Sequence, residues 1–260
     1  MMFSRRPVVR LNRGRVGGAG LAWKPFGFGA SLQLDLIAGA AYYDLGAGGD
    51  ILRWHDQSGF GNHAEQTTTA NQPTPEPTGL DGAASVLFVK ANTDWLEIDS
   101  LASALAGTQT PFTFAVKGQI ITTSSNGTIL GGGRTTATGA DTNMQLQYPH
   151  AGAATYRAYR DGDTGTADDR QTVSAVSGAT RTHVFTFNGT IIGLRDDGTA
   201  RSWVSTDWST TACTFDLLTL GAFRNMSGVS NPWDGRIARV SLWPGVTLTD
   251  AQMADWEANA

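Results

Sequence analysis

Short segments in which apolar and polar residues alternate recur along most of the chain. The clearest is 143–148 (NMQLQY), which places Met144, Leu146 and Tyr148 on one face and three amide side chains on the other. Such alternation is typical of a β-strand with one buried face. Further strands are predicted at 31–38, 42–45, 51–54, 84–89, 94–98, 112–121, 127–133, 155–160, 201–206, 215–223 and 235–243. Many short strands separated by turn residues predict an all-β sandwich or barrel.

A hairpin and a helix complete the predicted elements. The segment 182–195 contains two apolar-rich runs around Asn188-Gly189, a pair that supplies the positive φ angles of a tight β-turn. Near the end of the chain, Thr249 and Gln252 have the spacing of a capping box at the start of a helix. One further helical turn is predicted at 101–106. Two segments are interpreted as loops: 67–79, which holds three prolines, and the acidic run 161–170.

Residues 54–66 (WHDQSGFGNHAEQ) predict a structural corner after a strand. Asp, Ser and Asn side chains bond the backbone of a turn, and glycine adopts positive φ at little cost. We expect Asp56 and Asn62 to hold this turn and Trp54 to anchor it in the core. The two histidines of the segment, His55 and His63, are interpreted as ordinary loop residues, because no further metal ligands can be assigned to them.

Charge is unevenly distributed along the 260 residues. Residues 1–34 hold six of the 19 cations and no acid, whereas the whole chain has a formal charge of −4. We interpret residues 1–30 as a basic, glycine-rich arm that docks in an assembly, and residues 31–260 as the folded domain. The arm's predicted contacts are Arg5, Arg6, Arg10, Arg13, Arg15, Trp23, Phe26 and Phe28. The alternative is that the arm wraps its own domain.

Several classes of protein are disfavoured by composition. Cys213 is the one cysteine, so no intramolecular disulfide can form. The sequence shows neither the apolar run of a signal peptide nor the ~20 apolar residues of a membrane span, so we expect no secretion and no membrane partner. The acidic net charge gives no reason to expect nucleic-acid binding.

Four stretches resemble the concanavalin A-like jelly roll in its laminin-G-like branch: the corner at 54–66, Asp81 to Asp99, the hairpin at 182–198, and the closing segment 234–256. The pattern W-x-D-x-S-G-x-G-N-x-A in the corner is similar to versions found in bacteriophage structural proteins. The resemblance implies a jelly-roll β-sandwich of two curved antiparallel sheets with a short C-terminal helix. It also implies that the concave sheet is a candidate surface for glycans.

The sequence contains candidate residues for three kinds of chemistry. Exposed aromatics that stack on sugars, with a nearby cation, are predicted at Tyr156, Tyr159, Arg160, Trp203 and Trp208. Oxygen ligands for Ca²⁺ are available at Asp161, Asp163 and Asp169, but the run lacks the length and closing Glu of an EF-hand, so a solvated acidic loop is the favoured interpretation and no cofactor is required. Glu97 and Asp99 resemble the carboxylate strand of β-glucanases, but Ala102 replaces the third carboxylate, so no catalytic residue is assigned.

The observations together favour a non-enzymatic virion protein, either a capsid decoration or a tail or fibre component. Residues 1–30 would bind other virion proteins in a homo- or hetero-oligomeric assembly formed in the host cytoplasm, and the lectin-like domain would contact host polysaccharide. The alternative is a soluble or cell-surface carbohydrate-binding module. A glycoside hydrolase is a third, less favoured interpretation.

Overall fold

The structure is a computed structural model that describes residues 32–108, 110–122, 126–136, 143–149, 155–161, 168–172, 178–202 and 212–260. Its strands are β1 Leu34–Ile37, β2 Tyr43–Leu45, β3 Ile51–Trp54, β4 Ala64–Glu65, β5 Thr74–Leu80, β6 Ala83–Phe88, β7 Leu96–Glu97, β8 Phe112–Ile120, β9 Thr128–Gly133, β10 Asn143–Gln147, β11 Thr155–Asp161, β12 Asp168–Thr172, β13 Thr180–Phe187, β14 Ile192–Asp196, β15 Thr199–Ser202, β16 Leu217–Leu220, β17 Phe223–Asn225, β18 Gly228–Ser230 and β19 Gly235–Pro244. Its α-helices are α1 Ala102–Leu105 and α2 Asp250–Asn259.

Two antiparallel sheets face each other across the main core. Sheet I has the order β15-β14-β13-β8-β19-β6-β5, with β1 also paired to β19. Sheet II has the order β12-β11-β10-β9-β16-β7-β4-β3-β2. A separate two-stranded hairpin is formed by β17 and β18. The predicted all-β sandwich with a short C-terminal helix is therefore confirmed.

Alternation along the central strands of sheet I explains its two faces. Phe112 and Phe114 of β8 lie opposite Phe187 and Phe185 of β13, with ring centroids 6.1 and 6.3 Å apart, and all four are buried between the sheets. Burying one such side chain contributes about 1.5–3 kcal/mol. Ala115, the residue that follows Phe114, belongs to a second apolar cluster on the opposite face of the sheet.

Helix α2 covers that second face. Its Met253 and Trp256 pack in the cluster that also holds Leu32, Ala115, Val184, Trp243 and Leu248. The predicted capping box is confirmed, since Thr249 Oγ1 accepts from Gln252 N and Gln252 Oε1 accepts from Thr249 N. None of the described helices is long and apolar enough to cross a membrane.

The prediction of a loop at 67–79 was wrong, because β5 occupies its second half. Pro75 pairs with Val86 of β6 in spite of lacking a backbone donor. Strand β5 is the last strand of sheet I, where the unpaired side of a proline meets solvent. The acidic loop at 161–170 is likewise shorter than predicted, since β12 begins at Asp168.

Two other boundaries differ from the prediction for local reasons. The 182–195 hairpin turns through four residues rather than two, because Asn188 Oδ1 accepts from the backbone N–H groups of Thr190 and Ile191. The strand predicted at 215–223 is broken at Gly221, which has φ +83°. A Cβ there would lie 2.3 Å from the ring of Phe88, so this bend requires glycine.

Candidate functional site

The corner at 54–62 is organised by the Asp56 carboxylate. Oδ1 accepts from the backbone N–H groups of Asp35 and Ser58, both at 2.9 Å. Oδ2 accepts from Ser58 Oγ at 2.6 Å and from the backbone N–H groups of Gly61 and Asn62, both at 3.1 Å. Five hydrogen bonds on one buried carboxylate fix the path of the chain, so the predicted role of Asp56 is confirmed.

Two further side chains tie the corner to the start of the fold. Asn62 Nδ2 donates to Gln33 O at 2.5 Å, and Trp54 Nε1 donates to Ile37 O at 3.0 Å. Trp54 is fully buried in the main core. The predicted anchoring roles of Asn62 and Trp54 are therefore confirmed. These contacts fix the position of the segment that leads into β4.

The corner also sets the tautomer of His63. The backbone N–H of Asp56 donates to His63 Nδ1 at 3.0 Å. A neutral imidazole that accepts at Nδ1 carries its proton at Nε2. His63 packs edge-on against His55, whose Nε2 lies 3.0 Å from Asp44 Oδ1. That contact with His55 lowers the pKa of Asp44. His63 is thus prepared as a hydrogen-bond donor at the edge of the corner.

A cleft of about 430 Å³ lies beside the corner, where β4 and β7 run next to each other. Ala64 and Leu96 of these strands are fully buried in the main core. Their neighbours Glu65 and Glu97 consequently face outward. The cleft on the outer face of sheet II is lined by Gly61, His63, Glu65, Thr67, Glu97 and Ser100.

Two carboxylates meet in this cleft. Glu65 and Glu97 are direct partners across the β4–β7 pair. Like charges in that position repel each other and destabilise a sheet. Each is balanced by an arginine: Arg53 Nε lies 2.7 Å from Glu65 Oε1, and Arg224 Nη1 lies 2.7 Å from Glu97 Oε2. The arrangement concentrates acceptor oxygens on the floor of an open cleft.

The β17–β18 hairpin carries Arg224, the cation that pairs with the lining residue Glu97. The guanidinium of Arg224 lies 5.1 Å from the ring centroid of Trp95, so a cation–π contact holds it beside Glu97. The hairpin lies against β9 because that strand ends in glycines. A Cβ on Gly133 would lie 1.9 Å from Arg224 O, and one on Gly131 would lie 3.0 Å from Ala222 O. The glycines at 131–133 therefore serve a close backbone approach.

An exposed aromatic precedes the cleft residue Gly61. Phe60 is 64% exposed, more than any other large apolar side chain in the described part of the chain. An aromatic ring held open to solvent beside polar groups is suited to stack on the apolar face of a ligand. Phe60 was not among the predicted ligand contacts, because the pattern of the corner predicts a structural turn and nothing more.

The structure contradicts the predicted glycan contact at Tyr156. This side chain is fully buried, and its ring stacks on Tyr148 with centroids 4.0 Å apart. Its hydroxyl lies 2.7 Å from His183 Nδ1 and donates to Asp196 Oδ1 at 3.1 Å. Burial, followed by the nearby charge of Asp196, raises the pKa of Tyr156. Tyr156 belongs to a polar network between the sheets and cannot contact a glycan there.

The other predicted contacts stay predictions. Tyr159, Arg160 and Asp161 lie on β11, and the register places Tyr159 opposite Gln145 and Asp168. Asp169 lies on β12. Outside the described residues lie Arg5, Arg6, Arg10, Arg13, Arg15, Trp23, Phe26, Phe28, Asp163, Trp203 and Trp208. In the described part of the chain, no three His, Cys, Asp or Glu side chains are grouped to hold a metal ion.

The comparison of Glu97 and Asp99 with a glucanase carboxylate strand was wrong. Strand β7 ends at Glu97, and Asp99 opens a 3₁₀ turn at 99–101, so the two do not share a strand. The partner that Glu97 has instead is Glu65, which sequence reasoning missed together with His63, Thr67 and Ser100. The pairing of two-residue strands about thirty positions apart leaves no local pattern that could reveal it.

No protein-family model matches the sequence, and no curated protein sequence matches it. Solved structures do resemble it. Domain 4 of the extracellular arabinanase AbnA from Geobacillus stearothermophilus, in complex with arabinotriose, has a TM-score of 0.62 at 14% identity, over 88% of this chain and 98% of that chain. The botulinum neurotoxin serotype G binding domain has a TM-score of 0.63 at 8% identity, over 87% of this chain and 50% of that chain. At these identities the comparisons establish a shared β-sandwich fold.

Proposed function

We propose that this protein is a carbohydrate-binding β-sandwich module whose ligand occupies the cleft between the corner and β7. The observation that carries the proposal is the juxtaposition of Glu65 and Glu97 in an open cleft beside the neutral donor His63. Binding sites commonly combine a few converging polar groups with an apolar surface that orients the ligand. The cleft supplies the polar groups, and the exposed Phe60 directly precedes the lining residue Gly61 in the chain.

Sugar hydroxyls match the chemistry of this lining. Each hydroxyl donates one hydrogen bond and accepts others, so it can bond to a carboxylate on one side and to a donor on the other. Glu65 and Glu97 provide acceptors, while Thr67, Ser100 and His63 provide donors. The complex of the arabinanase domain with arabinotriose supports the proposal, because that domain has the same fold over nearly its whole length.

The proposed role is binding without catalysis. Glycoside hydrolysis needs one carboxylic acid that holds a proton and a second carboxylate that acts as nucleophile or base. Glu65 is already paired with Arg53 and Glu97 with Arg224, each at 2.7 Å. We therefore assign both residues to ligand binding and neither to acid catalysis.

The test is calorimetric titration of the full chain, and of a variant whose cleft is plugged, with a panel of neutral and anionic oligosaccharides. Thr67→Trp places an indole in the cleft at an exposed position, and Thr69→Trp places the same group at an exposed position outside the lining. We expect Thr67→Trp to reduce glycan affinity at least tenfold and Thr69→Trp to leave it unchanged. Equal binding by both variants, or no binding by the wild type, would exclude the cleft.

A virion setting is a second proposal, which the basic sequence of residues 1–30 supports. In it, the arm binds other virion proteins of a phage particle assembled in the host cytoplasm, and the cleft faces outward to host glycans. Removing residues 1–30 should abolish incorporation into particles while leaving glycan binding by residues 31–260 intact. Normal incorporation of the truncated protein would contradict this setting.

A further inference from the structure

The outer face of sheet II carries a row of charges through the cleft. Across adjacent strands, Asp44 lies opposite Arg53, Arg53 opposite Glu65, and Glu65 opposite Glu97. Arg224 joins the row from the hairpin through its contact with Glu97. Three carboxylates therefore share two guanidinium groups, and the two carboxylates that line the cleft are neighbours.

Both arginines are already engaged by these carboxylates. Arg53 lies 2.7 Å from Glu65 Oε1 and 3.9 Å from Asp44 Oδ2, while Arg224 contacts Glu97 and the ring of Trp95. Recognition of a sugar carboxylate typically uses an arginine that presents two parallel N–H groups to the ligand. An anionic ligand in this cleft would have to displace Glu65 or Glu97 from its arginine and then remain beside the displaced charge.

Neutral ligands meet no such obstacle. A hydroxyl group donates to a carboxylate without adding charge, and the neutral donors Thr67, Ser100 and His63 Nε2 can donate to a sugar oxygen without needing a counter-ion. Like charges brought together at an interface act as an element of specificity, because they reject a wrong ligand rather than strengthen the right one.

We propose that the cleft selects neutral, hydroxyl-rich glycans and rejects glycans that carry carboxylates, such as sialylated or uronic acid-containing chains. This inference rests on the proposed function, because it assigns the ligand class of the same cleft. The expected discrimination is at least tenfold in affinity, which corresponds to about 1.4 kcal/mol.

Matched pairs of probes test the selection on the full chain. Arabinotriose and lactose are neutral, and 3′-sialyllactose is lactose with one added carboxylate. Methyl-esterified and unesterified oligogalacturonates differ in charge on the same backbone. We expect the neutral members to bind at least tenfold more tightly than their anionic partners, and Thr67→Trp to remove that binding. Anionic binding that persists in Thr67→Trp belongs to the basic arm and not to the cleft.

Charge removal provides the second arm of the test. Glu65→Gln should reduce the ratio of neutral to anionic affinity at least threefold, because the anionic probes then bind more tightly. Glu76→Gln should leave it unchanged, because Glu76 forms a comparable 2.7 Å pair with Arg236 on sheet I, away from the cleft. Raising the salt concentration should strengthen cleft binding of the anionic probes and leave neutral binding constant, because repulsion between exposed charges is screened.

The outcomes separate the two proposals. Tight neutral binding that is lost in Thr67→Trp, with weak anionic binding, supports both. Equal or tighter anionic binding that is lost in Thr67→Trp overturns the selection while the glycan-binding function stands. Binding of a neutral probe that survives Thr67→Trp unchanged, or the absence of binding by every probe, overturns the proposed function and the selection with it.

Discussion

Two aspartates lie in the turns that lead into the two strands of the cleft, and they differ in how many hydrogen bonds each carboxylate accepts. Asp56, before β4, accepts five hydrogen bonds, so each of its oxygens is satisfied several times. Asp94, before β7, accepts from the backbone N–H of Val89 at 2.8 Å through Oδ2, whereas its buried Oδ1 has no hydrogen-bond partner among the described residues. Both side chains are buried.

The difference shows that a buried carboxylate stabilises a turn only when the turn supplies enough donors. Burial raises the pKa of Asp94 to about 6, the N–H of Val89 opposes that shift, and the nearby charges of Asp50 and Asp234 add to it. The charged form of Asp94 is therefore a cost to the folded protein. In the corner, by contrast, five donors replace the water that the Asp56 carboxylate gave up.

The largest expected effect is that of Asp56→Ala. Removing the carboxylate leaves the backbone N–H groups of Asp35, Ser58 and Asn62 without their acceptor, and an unsatisfied buried group costs about 1–3 kcal/mol. We expect a loss of about 3–5 kcal/mol in the free energy of unfolding, measured with urea. Asp94→Ala is the matched control and should cost less than half as much. An equal loss in the free energy of unfolding for the two variants would contradict the proposed difference between the two turns.

The next effect tests the β17–β18 hairpin, which places Arg224 beside Glu97. In Gly133→Ala the added methyl group would collide with Arg224 O, so the hairpin must move away from β9. Overpacking of this kind costs about 1–3 kcal/mol, and the movement should also displace Arg224 from Glu97. Gly48→Ala is the control, because its nearest neighbour, Asp50 Oδ2, lies 3.5 Å from the new Cβ. Unfolding and glycan titration of both variants would measure the two effects.

The third effect concerns the pH dependence of Asp94. Its folded pKa of about 6 exceeds the ordinary value of 3.8, so the folded state binds the proton more tightly than the unfolded state. The stabilisation is complete below about pH 4 and is lost as the pH rises through about 6. Asp94→Asn mimics the protonated form, and we expect it to be more stable than the wild type by about 2–3 kcal/mol at pH 7. The difference should vanish near pH 4, and a constant difference across this range would contradict the assignment.

The sequence predicted the parts of the fold that depend on neighbours along the chain. The corner, the capping box of α2 and the central strands follow from local side-chain chemistry and two-residue alternation. Alternation also contains information that the prediction did not use. Positions 156 and 159 are three apart, and residues at that spacing in a strand lie on opposite faces, so the two could not both contact one glycan.

The cleft could not be predicted, because its two carboxylates come from two-residue strands that are remote in sequence. Nothing around Glu65 or Glu97 shows that they are partners across β4 and β7. The position of Arg224 beside Glu97 depends on a hairpin near 224 meeting glycines near 132, which is a matter of tertiary packing. The edge strand β5 was missed for a related reason, because its prolines are compatible with a strand only at the position that the completed sheet gives it.

The most direct test of the central claim is an NMR titration of the full chain with a neutral oligosaccharide such as arabinotriose, observed through its backbone amides. If the ligand binds in the cleft, we expect concentration-dependent chemical-shift changes centred on residues 60–67 and 96–100, and small changes along β10, β11 and β12. Shifts centred on β11 and β12 would instead favour the surface around Tyr159. The absence of any shift with each neutral and anionic probe would contradict glycan binding by this protein.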